Sequence, residues 1–257
     1  MLTDFADIPP RVWLERQKQY VVCGTDKAVA QARSYGHTAE TLFRVSGMIL
    51  AQLLPCGADR PPRGTGALEL DPDLPTALVL FGGEGSRAMI EIAERLAGAG
   101  LRLQLILMYG RNEAIGEQLR ALRLPFPVHV QGFTTDVPRF MQMSDFLIGK
   151  PGPGSISEAL AMKLPVICDK NRSTLPQERY NAEWLVENEL GLVVRDWKEI
   201  VAAVEALLEP GRLDAYRARA AAIENRAVFE IADILNRLLE SRAGSEATSR
   251  PRSPAAP

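Results

Sequence analysis

Between Thr76 and Val194 the chain repeats one pattern six times: a short apolar run rich in β-forming residues, then a helix-length amphipathic run. That rhythm is the signature of a parallel sheet covered by helices, because each parallel strand needs a crossover long enough to return to the same edge. The predicted strands are Ala77–Phe81, Leu103–Met108, Val128–Gln131, Phe146–Ile148, Pro165–Cys168 and Leu192–Val194, and helices are predicted to start near Ser86, Glu113, Val137, Ile156 and Glu178. Gly98, Gly100 and Gly191 stand where helix C-caps are expected. A further helix reads from Trp197 to Leu208, Pro210-Gly211 breaks it, and Leu213 to Leu239 is mostly helical. The fold class is therefore α/β, a Rossmann-like parallel sheet spanning residues 76–240.

The flanking pieces read differently. Residues 1–54 supply at most two βα steps: a strand end at Met1–Asp4, a strand at Tyr20–Cys23, a helix capped by Thr25 or Asp26 and ended by Gly36, and a strand at Leu42–Val45. About fifty residues are too few for an independent α/β layer, so this piece is expected to be the remnant of a larger N-terminal domain, packed on its neighbour or exposing apolar surface. Residues 55–75 read as a linker of Gly, Pro and charged residues, and the DxD spacing of Asp71 and Asp73 within it reads as solvated loop. Residues 241–257 are expected to be a disordered tail.

Composition excludes more than it identifies. With 46% hydrophobic and 24% charged residues this is a globular chain, and a net charge of −2 gives no argument for a nucleic-acid partner. Cys23, Cys56 and Cys168 are odd in number and far apart, so neither a disulfide framework nor a metal site is expected, and a reducing compartment, the cytoplasm, fits best. No apolar run reaches membrane-span length and no signal-peptide pattern opens the chain.

In an open parallel sheet the loops that follow the strands share one rim, where ligands bind. Lys150-Pro151-Gly152-Pro153-Gly154-Ser155 joins the fourth strand to a helix, and its glycines and free helix amides suit a diphosphate, with Lys150 available to offset its charge. Ser155 and Glu158 also have the spacing of a capping box, and the sequence leaves both readings open. Gly82-Gly83-Glu84-Gly85-Ser86 forms a second Gly-rich helix start, with Glu84 an acceptor for sugar hydroxyls or a helix-dipole partner. Gly132-Phe133-Thr134 follows the third strand. Asp169–Arg179 follows the fifth, and Gln177 and Asn181, four apart, share a helix face. A carboxylate at Glu158 can accept two ribose hydroxyls, while Gln177 and Glu178 offer the mixed donors and acceptors a hexose needs.

Gly82-Gly83-Glu84-Gly85, Tyr109-Gly110-Arg111-Asn112, Gln131-Gly132-Phe133, Lys150 to Ala159 and Pro176-Gln177-Glu178 together resemble the donor half of the monogalactosyldiacylglycerol synthases, which belong to family 28 of the GT-B superfamily. The likeness covers roughly residues 1 to 240, with Thr3–Asp7 and Val45–Ile49 resembling the end of the acceptor domain and the interdomain crossing. It implies a GT-B C-terminal domain with a UDP-sugar donor: uracil at 132–134, ribose at Glu158, diphosphate at the amides of Pro153, Gly154 and Ser155, and hexose at Gln177 and Glu178. The UDP-sugar set is completed by Gly83, Glu84, Gly85, Arg111, Phe133, Lys150 and Asn181. It also implies a diacylglycerol-like lipid acceptor, peripheral contact with a membrane, and no cofactor or metal.

Family members carry their acceptor site and general base on a complete N-terminal domain, of which only the last βα elements match here, so no catalytic residue is assigned. Self-association or a partner supplying an acceptor domain is expected. The alternatives are a non-catalytic UDP-sugar-binding module and a nucleotide-sugar epimerase. His37 and His129 read as structural or surface residues, and Trp13, Trp184 and Trp197 as packing residues off the rim.

Overall fold

The computed structural model describes residues 1–15, 17–48, 68 and 70–249, the last eight by backbone alone. The chain begins with a small parallel pair, β1 (Val21–Cys23) and β2 (Leu42–Arg44), joined by α1 (Asp26–Ser34). Thr25 caps α1, its hydroxyl accepting from the Ala28 amide at 3.2 Å. Such a cap contributes about 1 kcal/mol. Met1–Asp4 is not a strand, although Leu2 N–H donates to the Val22 carbonyl at 3.0 Å. One face of this pair packs on Leu2, Leu14, Ala28 and Ala32, while Val22 and Val45 pack against Ala227 and Ile234 of the C-terminal helix. That helix thus acts as the second layer a piece this short cannot build alone.

The main sheet contains β3 (Thr76–Leu80), β4 (Gln104–Gly110), β5 (Val128–Gly132), β6 (Phe146–Gly149), β7 (Val166–Asp169) and β8 (Gly191–Val194). All neighbours are parallel, in the order β5-β4-β3-β6-β7-β8. The crossovers are α2 (Ala88–Gly98), α3 (Glu113–Ala121), α4 (Val137–Gln142), α5 (Pro153–Ala161) and α6 (Arg179–Glu187), followed by α7 (Ile200–Leu208), α8 (Arg212–Ala222) and α9 (Ala227–Ser249). The inner strands β3, β4, β6 and β7 are buried along their whole length, whereas the edges β5 and β8 are partly exposed. This is why the inner strands read as unbroken apolar runs. Alternate residues feed opposite cores: Leu78, Leu80, Ile106 and Leu147 meet α5 and α6, while Ala77, Val79, Leu105 and Ile148 meet α2 and α7.

All six expected strands are present within two residues at either end, and the exceptions lie at helix ends. The helix expected near Ile156 starts at Pro153, because proline fits the first helical position. A 3₁₀ turn, Pro176–Glu178, leads into α6. Helix α9 continues to Ser249, beyond the boundary at 241 expected for a disordered tail; residues 250–257, Cys56 and most of the expected linker lie outside the described residues. Asp71 is part of a tight turn, its carboxylate accepting from the Asp73 amide at 2.9 Å. Trp197 is buried against Phe81 and Trp184 packs edge-on to Phe5, but Trp13 is half exposed and does not pack as expected.

Gly191 is not a C-cap; it opens β8 opposite Val166, and a Cβ there would lie 1.9 Å from the Val166 carbonyl oxygen. Gly191→Ala must therefore push β8 off β7. The expected cost is about 2–3 kcal/mol, a fall in Tm of roughly 5–10 °C by thermal melting. An unchanged Tm would mean the strand pair yields freely.

Candidate functional site

The strand order reverses between β3 and β6, and that switch point is where an open parallel sheet forms its ligand crevice. The two Gly-rich turns follow these two strands. They meet: a Cβ on Gly82 would lie 3.9 Å from Cε of Lys150. The turn after β3 is in turn clamped to the end of β4, where Arg111 N–H donates to the Gly83 carbonyl at 2.8 Å. Gly110 adopts φ +68° so that the two backbones can touch. Gly85, at φ +61°, lies against the Tyr109 carbonyl, so Gly83 and Gly85 shape the crevice wall.

At the centre of the crevice, α5 starts with Gly152 as its N-cap residue and no side-chain cap. The capping-box reading of Ser155 and Glu158 is thereby excluded, since both lie inside the helix. Ile156 N–H closes the first turn on the Gly152 carbonyl at 3.0 Å, which leaves the Gly154 and Ser155 amides aimed out of the helix end. Pro153 has no N–H and cannot be the donor the family likeness implied; its place is to set the first turn. Lys150 Nζ lies 3.1 Å from Oε1 of Glu178, whose side chain is only 10% exposed. The space beside Gly152 is ringed by Lys150 Cε, Glu178 Oε1 and Ser155 Oγ, at 3.6, 3.8 and 3.9 Å from a Cβ built there. Two free amides, a positive dipole end and an ammonium group thus surround one opening, an arrangement suited to a diphosphate. Gln177 is half-buried beside Glu178, its amide without a hydrogen-bond partner among the described residues.

One helical turn along α5, Glu158 faces a pocket of about 190 Å³ shared with Phe133, Thr134, Val137, Pro138 and Met141. Its carboxylate has no hydrogen-bond or ion-pair partner among the described residues, and burial raises its pKa above the usual 4.5. An unpaired, half-buried carboxylate destabilises the folded protein when it is ionised. Phe133 is half exposed, and the Arg111 guanidinium stacks over its ring at 3.8 Å. Arg111 thereby ties the β4 end to the β5–α4 turn; its contact with exposed Glu84, at 4.0 Å, is a weak surface pair. His129 stacks on Phe140 with centroids 5.8 Å apart, and His37 Nε2 meets the Glu15 carbonyl at 3.1 Å, so both are structural.

Asn181 does not join Gln177 on the rim. It is completely buried, accepting from Phe5 N–H at 3.1 Å and donating to Asp4 Oδ1 at 3.2 Å and the Pro151 carbonyl at 3.0 Å. Asp4 and Asp169, both buried beside the Lys150–Glu178 pair, were not visible as site residues in the sequence. Burial, with a further push from Glu178, raises the pKa of each; Asn181 lowers that of Asp4, and Asn171 lowers that of Asp169. No spacing rule connects Asp4 to residues so far along the chain. Away from the rim, a cleft of about 800 Å³ runs between the Gly24–Lys27 turn of the small sheet and α5, α6 and α8.

Residues 76–238 match the model of the glycosyltransferase family 28 C-terminal domain. The chain is 30% identical over 201 residues to monogalactosyldiacylglycerol synthase 3 of Arabidopsis thaliana, covering 76% of this chain and 43% of that protein. It is 34% identical over 151 residues to the spinach (Spinacia oleracea) monogalactosyldiacylglycerol synthase, covering 56% of this chain and 28% of that protein. The chain thus spans less than half the length of these relatives. Among solved structures, MurG of Acinetobacter baumannii superposes with a TM-score of 0.59 at 15% identity, over 85% of this chain and 67% of that one. Anabaena HepE, solved with UDP and glucose, gives 0.57 at 16% identity, over 91% of this chain and 70% of that one. These two likenesses establish the GT-B fold, and the domain match over all six strands of the main sheet places the chain in glycosyltransferase family 28.

Proposed function

We propose that this protein takes a hexose from a UDP-sugar and passes it to a diacylglycerol-like lipid, with residues 76–240 holding the donor. The observation that carries the reading is the crevice at the switch point, where the Gly154 and Ser155 amides and Lys150 converge next to the Glu158 pocket, an arrangement that suits a diphosphate beside a nucleoside. Uracil would lie against Phe133, ribose on Glu158, and hexose on Gln177 and Glu178. In the transfer step negative charge collects on the departing diphosphate, and preoriented amides, helix dipole and Lys150 stabilise it there. An arriving diphosphate would compete with Glu178 for Lys150, which frees the Glu178 carboxylate to accept hydroxyls of the hexose. The lipid half of the reading is supported by the relatives, the monogalactosyldiacylglycerol synthases. Residues 1–54 are read as the end of an acceptor domain, whose further units supply the general base. Contact with the membrane is peripheral on this reading; among the described residues no helix is long and apolar enough to cross one.

Turnover of radiolabelled UDP-hexose with lipid vesicles tests the reading. Transfer, which releases UDP and labels lipid, is expected after addition of a polypeptide supplying the acceptor units; transfer by the chain unaided would contradict the placing of the general base outside residues 1–257. Interconversion of UDP-sugars without UDP release would instead indicate an epimerase. Gln177→Ala is expected to leave UDP affinity within about twofold while weakening UDP-hexose about tenfold, the effect of one net hydrogen bond to a sugar hydroxyl. Equal weakening of both ligands would remove Gln177 from the hexose subsite.

A further inference from the structure

The buried cluster behind the crevice joins two parts of the chain that no motif connects. Asn181, with no exposed surface, uses every face of its amide: Oδ1 accepts from Phe5 N–H at 3.1 Å, and Nδ2 donates both to Asp4 Oδ1 at 3.2 Å and to the Pro151 carbonyl at 3.0 Å. Pro151 lies between Lys150, which carries the crevice cation, and Gly152, the N-cap residue of α5. Asp4 is itself 6% exposed, and its electrostatic neighbours include Lys150 and Glu178. Phe5, next in sequence, is pinned edge-on to Trp184 at 4.6 Å, so the N-terminal strip is held on α6 by packing as well as by hydrogen bonds.

We infer that Asp4 and Asn181 are positioning residues for the diphosphate seat: through the Pro151 carbonyl they fix the Lys150–Gly152 turn, and the N-terminal strip is thereby a working part of the donor site. The physical case is that a turn presenting free amides is only as selective as its backbone is fixed, and Lys150–Gly152 is a backbone turn with few side chains of its own to hold it. Glu178 holds the turn's Lys150 side chain, while Asn181 is the buried side chain that bonds its backbone, at the Pro151 carbonyl. Asn181 in turn keeps its orientation because its amide oxygen and nitrogen meet groups of opposite polarity, a backbone donor at Phe5 and two acceptors at Asp4 and Pro151. Removing Asp4 leaves one Nδ2 hydrogen unpartnered in a dry site and lets the amide swing. The uracil and ribose seat, built from the β5–α4 turn and Glu158, shares no hydrogen bond or ion pair with this cluster among the described residues.

This inference rests on the donor-site reading above, and the test separates the two. The whole chain is titrated with UDP and, separately, with uridine, for wild type, Asp4→Ala, Asp4→Asn and Asn181→Asp, with circular dichroism and melting on each. Asn181→Asp keeps the acceptor for Phe5 but turns the donor into a second acceptor facing Asp4 and the Pro151 carbonyl. Asp4→Ala and Asn181→Asp are expected to weaken UDP at least tenfold while uridine changes less than twofold. Asp4→Asn, which retains an acceptor for Asn181, is expected to stay within about threefold of wild type for UDP. UDP affinity unchanged in Asp4→Ala, or UDP and uridine weakened equally, overturns the inference. Should Asn181→Asp not fold, the two Asp4 variants decide alone. If wild type itself does not bind UDP, the donor-site reading fails first.

Discussion

Replacing Glu158 by alanine is expected to weaken UDP binding by roughly tenfold to a hundredfold without lowering the melting temperature. The loss corresponds to about 1.5–3 kcal/mol for a carboxylate that accepts two ribose hydroxyls. Stability should move the other way. Burial raises the pKa of Glu158 in the folded state, so its favourable contribution exists below its ordinary value near 4.5 and is lost as pH rises through the raised pKa. Above that raised pKa the folded protein carries an unrewarded buried charge, and alanine removes it while also favouring the helix. Glu158→Gln separates charge from shape: it should melt no lower than wild type near pH 7 and still bind UDP weakly. Because the ionised form accepts the hydroxyls, uridine affinity in wild type should rise as pH climbs through the Glu158 pKa and level off above it. The variants should show no such rise. Lower stability with unchanged UDP affinity would show instead that Glu158 serves the helix.

Gly110→Ala is expected to damage fold and site together. At φ +68° a side chain costs about 1–2 kcal/mol, and here the added Cβ would also sit 2.1 Å from the Gly83 carbonyl oxygen and 2.5 Å from its carbon. Relief requires the Gly82–Gly85 turn to lift from β4, which breaks the 2.8 Å bond from Arg111 N–H to Gly83. The summed cost should be about 3–4 kcal/mol, a Tm lower by roughly 10 °C. Since Gly82 abuts Lys150, UDP affinity should fall as well. Gly98→Ala is the control, because its Cβ would meet nothing within 4 Å and its helix gains from the change. Equal melting temperatures for the two variants would contradict the close packing of the two turns.

The contrast between these glycines shows what could be read in advance. The sheet was legible because β3, β4, β6 and β7 are buried on both faces, so Thr76–Leu80 or Phe146–Gly149 stand out as apolar runs whatever surrounds them. Loop order then gathered Phe133, Lys150, Glu158 and Glu178 on one rim, because in a parallel sheet every strand ends at the same edge. Helix ends were less legible: Gly152 and Ser155 are both good N-cap residues, and only the geometry shows that Pro153 already occupies the first helical position. Gly191 is small because the Val166 carbonyl comes close, a reason no local signal carries. Asn181 could not be placed from spacing, since its three partners lie at Asp4, Phe5 and Pro151 and only tertiary packing brings them together.

The most direct measurement is a calorimetric titration of the whole chain with UDP, run beside the Glu158→Ala variant under the same conditions. A single saturable site in wild type, weakened at least tenfold in a variant that is equally folded, is the expected result. No heat of binding to wild type, or the same affinity in both proteins, would contradict a nucleotide-sugar site at the β3–β6 switch point.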